Sequence, residues 1–511
     1  MSSNSIKDQQ TKVSESLFLG KRRLNFGLVG CLLFLTNLNG IQFIGENESV
    51  YINNMSVMAW GITSVFAMLI VAEFVIPYYY QKGIITTPDF LEIRFDKSMK
   101  LWVSVVYLLA YLLNMMPPIL YASATVFQGI FHISELLYLS SFQTIALLSV
   151  LIGSLSLVIS LWGGIEKIAI SDIVVGLCLL IVGLSLPYYG FKQIGNGSLT
   201  EGFKLVFNAQ NTHLNAIGNS QDAIPISTLF TGMMLVNLNY WGVEQFIVQR
   251  MISAQNLVES QKGIILTAFG KILSPLMLNV PGLIAVYLYP HLGHSAEVFP
   301  RMVADVLPPF LVGITAFVII GASITSFNAG LSSTSALFFL NIYRPLSEKR
   351  GHNLSSKQIQ QYSRYFQIGV GSFCMIIAPF IYFAQGGFYL YLQKVGGAFN
   401  VPIFTILFMG FVSKKVSTLA AKVGLFFFIS TYLITQFVIE IPIHFLHILA
   451  ILFVITSGLM LLLSRWYPNT QIIIETSYVK KSKGWAPRYW FYGILLALSV
   501  LLYAFFSPLF F

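Results

Sequence analysis

Apolar residues gather in runs of about twenty, the length an α-helix needs to cross a hydrocarbon core, and polar segments separate the runs. Thirteen runs predict thirteen membrane helices, near 26–46, 57–80, 101–130, 142–161, 167–188, 226–250, 262–289, 305–340, 366–384, 392–412, 417–438, 444–464 and 489–510. Those at 101–130 and 305–340 exceed a straight crossing, so tilt or extension beyond the bilayer is expected. The longest polar connection, 189–225, reads as an external loop rather than a separate domain. The first 25 residues are polar, with no apolar stretch of the kind a cleaved signal peptide carries.

Composition strengthens the same reading. Of the 511 residues, 56% are hydrophobic and 10% charged, against roughly 25% charged in a soluble protein. The net charge of +10 raises the question of nucleic acid. The basic residues lie between the apolar runs, however, where they anchor a membrane protein on its cytoplasmic side. With a cytoplasmic N-terminus, Lys7, Lys12, Lys21–Arg23, Lys82, Arg94, Lys97, Lys100, Arg344, Lys349, Arg350, Lys357, Arg364, Arg465, Lys480, Lys481, Lys483 and Arg488 fall inside. Only Lys192, Lys204 and Arg301 fall in outside loops, which agrees with thirteen spans and an external C-terminus. Cys31, Cys178 and Cys374 each sit in an apolar run, so neither a disulfide framework nor a Cys-based metal site is expected.

Two spans are interrupted. The first carries Asn37, Asn39, Gly40, Gln42 and Gly45 at its centre and outer half; the sixth carries Asn237 and Asn239, then Gly242. Amides and glycines in a membrane helix are costly unless they line a cavity or meet partners. Interruption of one helix and of another five later points to an inverted-repeat carrier with its site at the midplane. The plain alternative is amide hydrogen bonding between packed helices. The eighth span is rich in hydroxyls: Thr315, Ser323, Thr325, Ser326, Ser332, Ser333, Thr334 and Ser335. Small residues promote close helix packing, yet adjacent hydroxyls with free carbonyls of a broken helix also suit a hard cation such as sodium. Thr325–Ser326 is the best-placed pair. No Walker motif, GxGxxG after a strand, HExxH or GxSxG occurs, so ATP-driven transport and membrane hydrolysis lack their usual signatures.

At these residues the chain resembles the sodium:solute symporter family, and within it the sodium/sugar branch. The resemblance runs from about Ser16 over nearly the whole chain. It rests on Asn37–Gly45 (NLNGIQFIG), Lys82–Phe90 (KGIITTPDF), Trp162–Gly164 followed by Asp172, Asn237–Gly242 (NLNYWG) with Gln249–Arg250, and Asn341–Tyr343, in the family's order and spacing. It implies an all-α polytopic membrane protein with the LeuT-like fold: two inverted five-helix repeats plus three C-terminal helices. In this chain that means a cytoplasmic tail at 1–25, a ten-helix core at 26–412 with repeats at about 26–188 and 226–412, and three peripheral helices in 413–511.

The resemblance also implies site residues. The family's sodium site falls on the carbonyls of Leu35, Leu38 and Ala322 and the hydroxyls of Thr325 and Ser326, and Asp172 matches an acidic position linked to cation coupling or a second sodium. The substrate positions fall on Asn37, Gln42, Ser64, Asn237, Lys271 and Gln393, with Tyr240 as an aromatic inner gate. Amides and a lysine suit a polyhydroxylated solute, and a tyrosine ring can stack on a pyranose face. Plain readings stand beside these: a salt bridge for Asp172, packing for Tyr240 and a lysine reaching toward the cytoplasm for Lys271.

The chain departs from the pattern in two places. A glutamate of the branch's second helix falls on Gly61, and the segment after the first break reads Gly45-Glu-Asn-Glu48. Glu46 can replace that acid from the other side of the pocket, favour an amino sugar or other cation, or belong to a solvated outer loop. The resulting expectation is no enzyme and no cofactor. It is a plasma-membrane symporter that uses sodium as coupling ion to import a small polar solute, a sugar or sugar derivative. The alternatives are a sodium- or proton-coupled carrier of an amino acid, vitamin, anion or amino sugar, and a non-transporting sensor or channel on the same fold.

Overall fold

The computed structural model describes residues 24–38, 40–84, 87–162, 165–209, 213–293, 295–350, 356–383, 388–439, 441–468 and 484–507, and the backbone alone at helical residues 36, 162, 165–173, 209, 340, 348–349 and 356–357. Its elements in chain order are α1 Phe26–Asn37, α2 Gly40–Ile52, α3 Met55–Lys82, α4 Lys97–Phe131, α5 Ser141–Trp162, α6 Ile165–Ile194, α7 Leu199–Ala209, α8 Gly232–Gly242 and α9 Gln245–Ile252. There follow α10 Leu257–Leu288, α11 Pro309–Ser347, α12 Gln358–Phe383, α13 Phe388–Val412, α14 Thr418–Phe437, α15 Phe445–Trp466 and α16 Arg488–Phe505. Shorter helices, among them Thr87–Arg94 and Val298–Val306, fill the connections.

Among the described residues, eleven helices are long and apolar enough to cross a membrane, and the bent pair at residues 26–35 and 40–52 makes a twelfth, with a 55° break. The run expected at 226–250 is two short helices, α8 and α9, parted at Val243–Glu244. Thus both spans read as interrupted are interrupted, one at Leu38 and one just after Gly242. The connection at 189–225 holds more structure than a plain loop: α6 continues to Ile194 and α7 follows it. Phe203 and Phe207 lie one turn apart on α7 and stack at 4.0 Å, and they pack on Phe191 and on Phe505 of α16. That aromatic face docks the helix on α6 and α16.

Helix starts are capped where the sequence supplies a short polar side chain. Asn25 accepts from Leu28 N–H at 2.9 Å, Asp96 from Met99 N–H at 2.6 Å and Asn256 from Glu259 N–H at 3.0 Å. The outer surface stays apolar: Leu147, Leu151, Leu155 and Val158 run exposed along α5, as a helix facing lipid requires.

Among the described residues, four spans contain a widened π turn, and each turn ends two residues before a proline. The turns are Val71–Val75 before Pro77, Tyr111–Met115 before Pro117, Pro275–Asn279 before Pro281, and Leu337–Tyr343 before Pro345. In each, the residue just before the proline sends its N–H back five residues: Ile76 to Val71, Met116 to Tyr111, Val280 to Pro275 and Arg344 to Phe339. Proline has no N–H to donate and its ring crowds the carbonyl four residues back, so the preceding turn opens. Each opened turn bears polar side chains aimed at another element. Glu73 meets Arg488 of α16 in a two-pronged pair at 2.6 and 2.8 Å, Tyr111 donates to Glu244 at 2.7 Å, and Asn341 donates to Ser104 at 3.0 Å. Asn279 lies beside Glu46.

Candidate functional site

The two breaks differ chemically. A broken helix leaves carbonyls without their intrahelical donors, and inside a bilayer such groups need another partner. Around the α8–α9 break the partners are hydroxyls. Gly242 O accepts from Tyr79 at 3.2 Å, and Val243 O accepts from Thr87 Oγ1 at 2.7 Å and Tyr107 at 2.9 Å. The buried Glu244 carboxylate accepts from Tyr111 at 2.7 Å. These oxygens are occupied by protein. Glu244 was not among the expected residues, although a carboxylate two residues after an interrupted NYWG run was a visible signal.

The α1–α2 break is held differently. Leu38 leaves the helix in an extended conformation with its N–H on Phe34 O. Arg250 of α9 donates to Leu32 O at 2.8 Å, and Asn37 Nδ2 donates to the Tyr240 hydroxyl at 3.1 Å. Both contacts tie the first broken helix to the second. Asn39 lies outside the described residues.

α11 packs against α1 and carries the expected hydroxyls. Leu35, Leu38, Ala322, Thr325 and Ser326 are all buried. Four α11 hydroxyls are seen to bond within the protein: Thr315 to Leu311 O, Thr334 to Gly330 O, and Ser323 and Ser335 to Ser123 and Ser363. Ser326 Oγ, on a residue only 1% exposed, has no hydrogen-bond partner. A buried orphan hydroxyl is uncommon in a folded protein, and it suits a hard cation that takes oxygen ligands. The backbone of Asp172 lies in α6, while its side chain falls outside the described residues.

The expected substrate residues gather around both breaks. Ser64 of α3 donates to Asn237 Oδ1 of α8 at 2.6 Å, and Asn237 Nδ2 donates to Met233 O at 3.1 Å. Asn37 and Tyr240 form the pair already described. Lys271 is 2% exposed, so it does not reach the cytoplasmic surface, and its ammonium lies within electrostatic range of Glu46, itself 1% exposed. Glu46 is thus buried in α2 and is not in a solvated loop. Gln42 and Gln393 are brought together by Tyr389, whose hydroxyl interacts with both. Tyr389 was not expected from sequence. Its ring lies so close to Gly45 that a Cβ there would sit 2.4 Å from Cδ2, and it meets Trp60 edge-on at 6.4 Å. Glu48, Trp60, Tyr389 and Gln393 line a small cavity beside this cluster. A larger cavity of about 480 Å³, lined by Gln128, Glu135, Arg301 and Tyr382 among others, contains none of the expected residues.

Gly61 explains one departure from the sugar branch. A Cβ there would lie 2.6 Å from Ser274 Oγ, so a side chain at this position requires the Ser274 hydroxyl to move.

Comparison with known proteins agrees with this architecture. The model of the sodium:solute symporter family matches residues 17–427. An uncharacterized symporter of Escherichia coli, YidK, is 34% identical over 481 residues, covering 94% of this chain and 84% of that protein. The sodium/glucose cotransporter of Vibrio parahaemolyticus is 25% identical over 436 residues, covering 81% and 78%. The solved structure of a sodium-coupled sialic acid symporter superposes with a TM-score of 0.74 at 19% identity, covering 90% of this chain and 94% of that one. The fold is LeuT-like, and the molecule is a multi-pass membrane transporter rather than an enzyme. Its family membership follows from a match across most of the chain: this protein belongs to the sodium:solute symporter family, whose members move a solute together with sodium.

Proposed function

We propose that this symporter imports a sugar or sugar derivative with sodium by alternating access. The observation that carries the coupling half is the buried, unpartnered Ser326 hydroxyl on α11, which packs on α1. Sodium binds there between the carbonyls of Leu35, Leu38 and Ala322 and the hydroxyls of Thr325 and Ser326, and Asp172 serves cation coupling. The solute binds among Asn37, Gln42, Glu46, Ser64, Asn237, Lys271 and Gln393, with Tyr240 on the inner side. Amide groups that both donate and accept suit a solute whose hydroxyls do the same, and the Vibrio parahaemolyticus relative is a sodium/glucose cotransporter. The transport core spans 26–412 in repeats of about 26–188 and 226–412, and 413–511 adds three peripheral helices. The distribution of Lys and Arg favours a cytoplasmic N-terminus and an external C-terminus in the plasma membrane.

One sodium crossing 100 mV supplies about 2.3 kcal/mol, and a tenfold sodium gradient adds about 1.4 kcal/mol. Together they sustain roughly few-hundred-fold accumulation of a neutral solute. The test is uptake into proteoliposomes across sugars, polyols, amino sugars and amino acids, with sodium or choline outside. Sodium-dependent uphill uptake of a sugar, lost in Ser326→Ala, is expected. Uptake that persists without sodium and follows pH, or that favours amino acids, overturns the proposal.

A further inference from the structure

We propose that Glu46, Lys271 and Asn279 form a charge-balanced subsite that admits solutes without net charge and turns away both anions and cations. This rests on the transport reading above and extends it to the charge class of the solute.

Glu46 on α2 and Lys271 on α10 are both buried, and each is the charged group whose field acts on the other. They form no direct ion pair among the described residues. Glu46 Oε2 has no hydrogen-bond partner. Asn279, fully buried, adjoins the same carboxyl, and neither its Nδ2 nor its Oδ1 has a partner within hydrogen-bond geometry. The π turn Pro275–Asn279, forced open ahead of Pro281, follows Lys271 on the same helix and ends at Asn279. An acceptor and an amide that can do either thus meet with bonds unmade, within electrostatic range of an ammonium. Buried polar groups are ordinarily satisfied, and a separated buried ion pair is costly unless further hydrogen bonds complete it. Adjacent solute hydroxyls complete it: one donates to Glu46, its neighbour accepts from Lys271, and Asn279 serves either.

Charge then sets the class. Glu48, two residues along α2, is engaged elsewhere: it accepts from Ser295 Oγ at 2.7 Å and from Phe388 N–H at 3.2 Å. Lys271 and Glu46 cancel one another, so the subsite they form with Asn279 holds no surplus charge of its own to offset a charged solute. An unbalanced charge in so buried a site is strongly disfavoured. Removing one member turns the preference in a predictable direction: Glu46→Gln leaves a positive subsite, and Lys271→Gln leaves a negative one.

The experiment uses full-length protein and four probes: glucose and myo-inositol as neutral solutes, glucuronate as anion, glucosamine as cation. Sodium-dependent thermal stabilisation by each probe reads binding, and uptake in proteoliposomes reads transport. The wild type is expected to respond to a neutral probe at least about tenfold more strongly than to either charged one, the scale of a single buried charge contact. Glu46→Gln raises the glucuronate-to-neutral ratio, and Lys271→Gln raises the glucosamine-to-neutral ratio. A wild type that prefers a charged probe overturns the proposal while leaving sodium coupling intact. So do variants that keep their sodium response but change no ratio or bind no probe. A wild type that binds and transports none of the four with sodium overturns the sugar reading and this proposal together.

Discussion

Asn37 Nδ2 donates to the Tyr240 hydroxyl at 3.1 Å, which joins the last residue of one broken helix to the aromatic residue before the break in the other. The bond spans the two repeats where the solute is proposed to leave. Tyr240→Phe removes the acceptor and leaves a buried amide donor unsatisfied, at a cost of about 1–3 kcal/mol. The unfolding midpoint of the purified protein should fall. Asn37→Ala should then cost less in the Tyr240→Phe background than alone, with a coupling of about 1 kcal/mol. Strict additivity would show that the two residues do not depend on one another.

Ser326 is set apart from Thr315, Ser323, Thr334 and Ser335 of α11 by having no protein partner. Ser326→Ala should weaken sodium binding about tenfold or more, the scale of one lost charge-assisted contact. Sodium titration of the thermal midpoint measures this without any solute. Ser323→Ala removes a hydroxyl already bonded to Ser123 and should leave the sodium midpoint unchanged. Equal responses in both variants would remove Ser326 from the cation site.

The close approach at Gly61 can be tested by filling it. Gly61→Ala puts a Cβ 2.6 Å from Ser274 Oγ but 4.0 Å from Ser274 Cβ. The single substitution should destabilise by about 1–3 kcal/mol, as overpacking does. Ser274→Ala removes the clashing atom, so the double variant should recover most of the lost thermal stability. If it does not, the crowding comes from another part of the α3–α10 contact.

These sites were unevenly legible in the sequence. The breaks could be read because amides and glycines inside an apolar run have few other uses: Asn37, Gln42, Asn237 and Gly242 stand out from their neighbours. The orphan hydroxyl could be narrowed to the Thr325–Ser326 pair but not to Ser326 itself, since eight hydroxyl residues share that helix and packing satisfies several of them. Asn279 and Tyr389 could not be read. Asn279 is a lone amide in an apolar span, and its neighbour Glu46 lies on a distant helix. What turns it inward is the π turn ahead of Pro281, and periodicity of 3.6 does not foresee a widened turn. Tyr389 matters because Gly45 makes room for its ring, a relation between two positions that neither discloses alone.

His444 gives the chain a pH-dependent fastening outside the membrane core. It precedes α15, its Nε2 lies 2.9 Å from Ala223 O, and its Nδ1 accepts from Leu446 N–H at 3.3 Å. Only the neutral ring, with its proton on Nε2, makes both bonds. Burial pushes its pKa from the usual 6.5 down to about 4; the Ala223 carbonyl opposes that shift, and nearby His447 and Lys394 add to it. As pH falls below about 6.5, the unfolded chain takes up a proton that the folded chain refuses until about pH 4. Stability from this residue is therefore complete above about 6.5 and is lost progressively between about 6.5 and 4. His444→Asn keeps a capping oxygen but has nothing to titrate. Between about pH 7 and pH 5, its unfolding midpoint should fall less steeply than that of the wild type, and the difference between the two curves isolates His444 from the carboxylates. Parallel curves would assign the pH dependence to other groups.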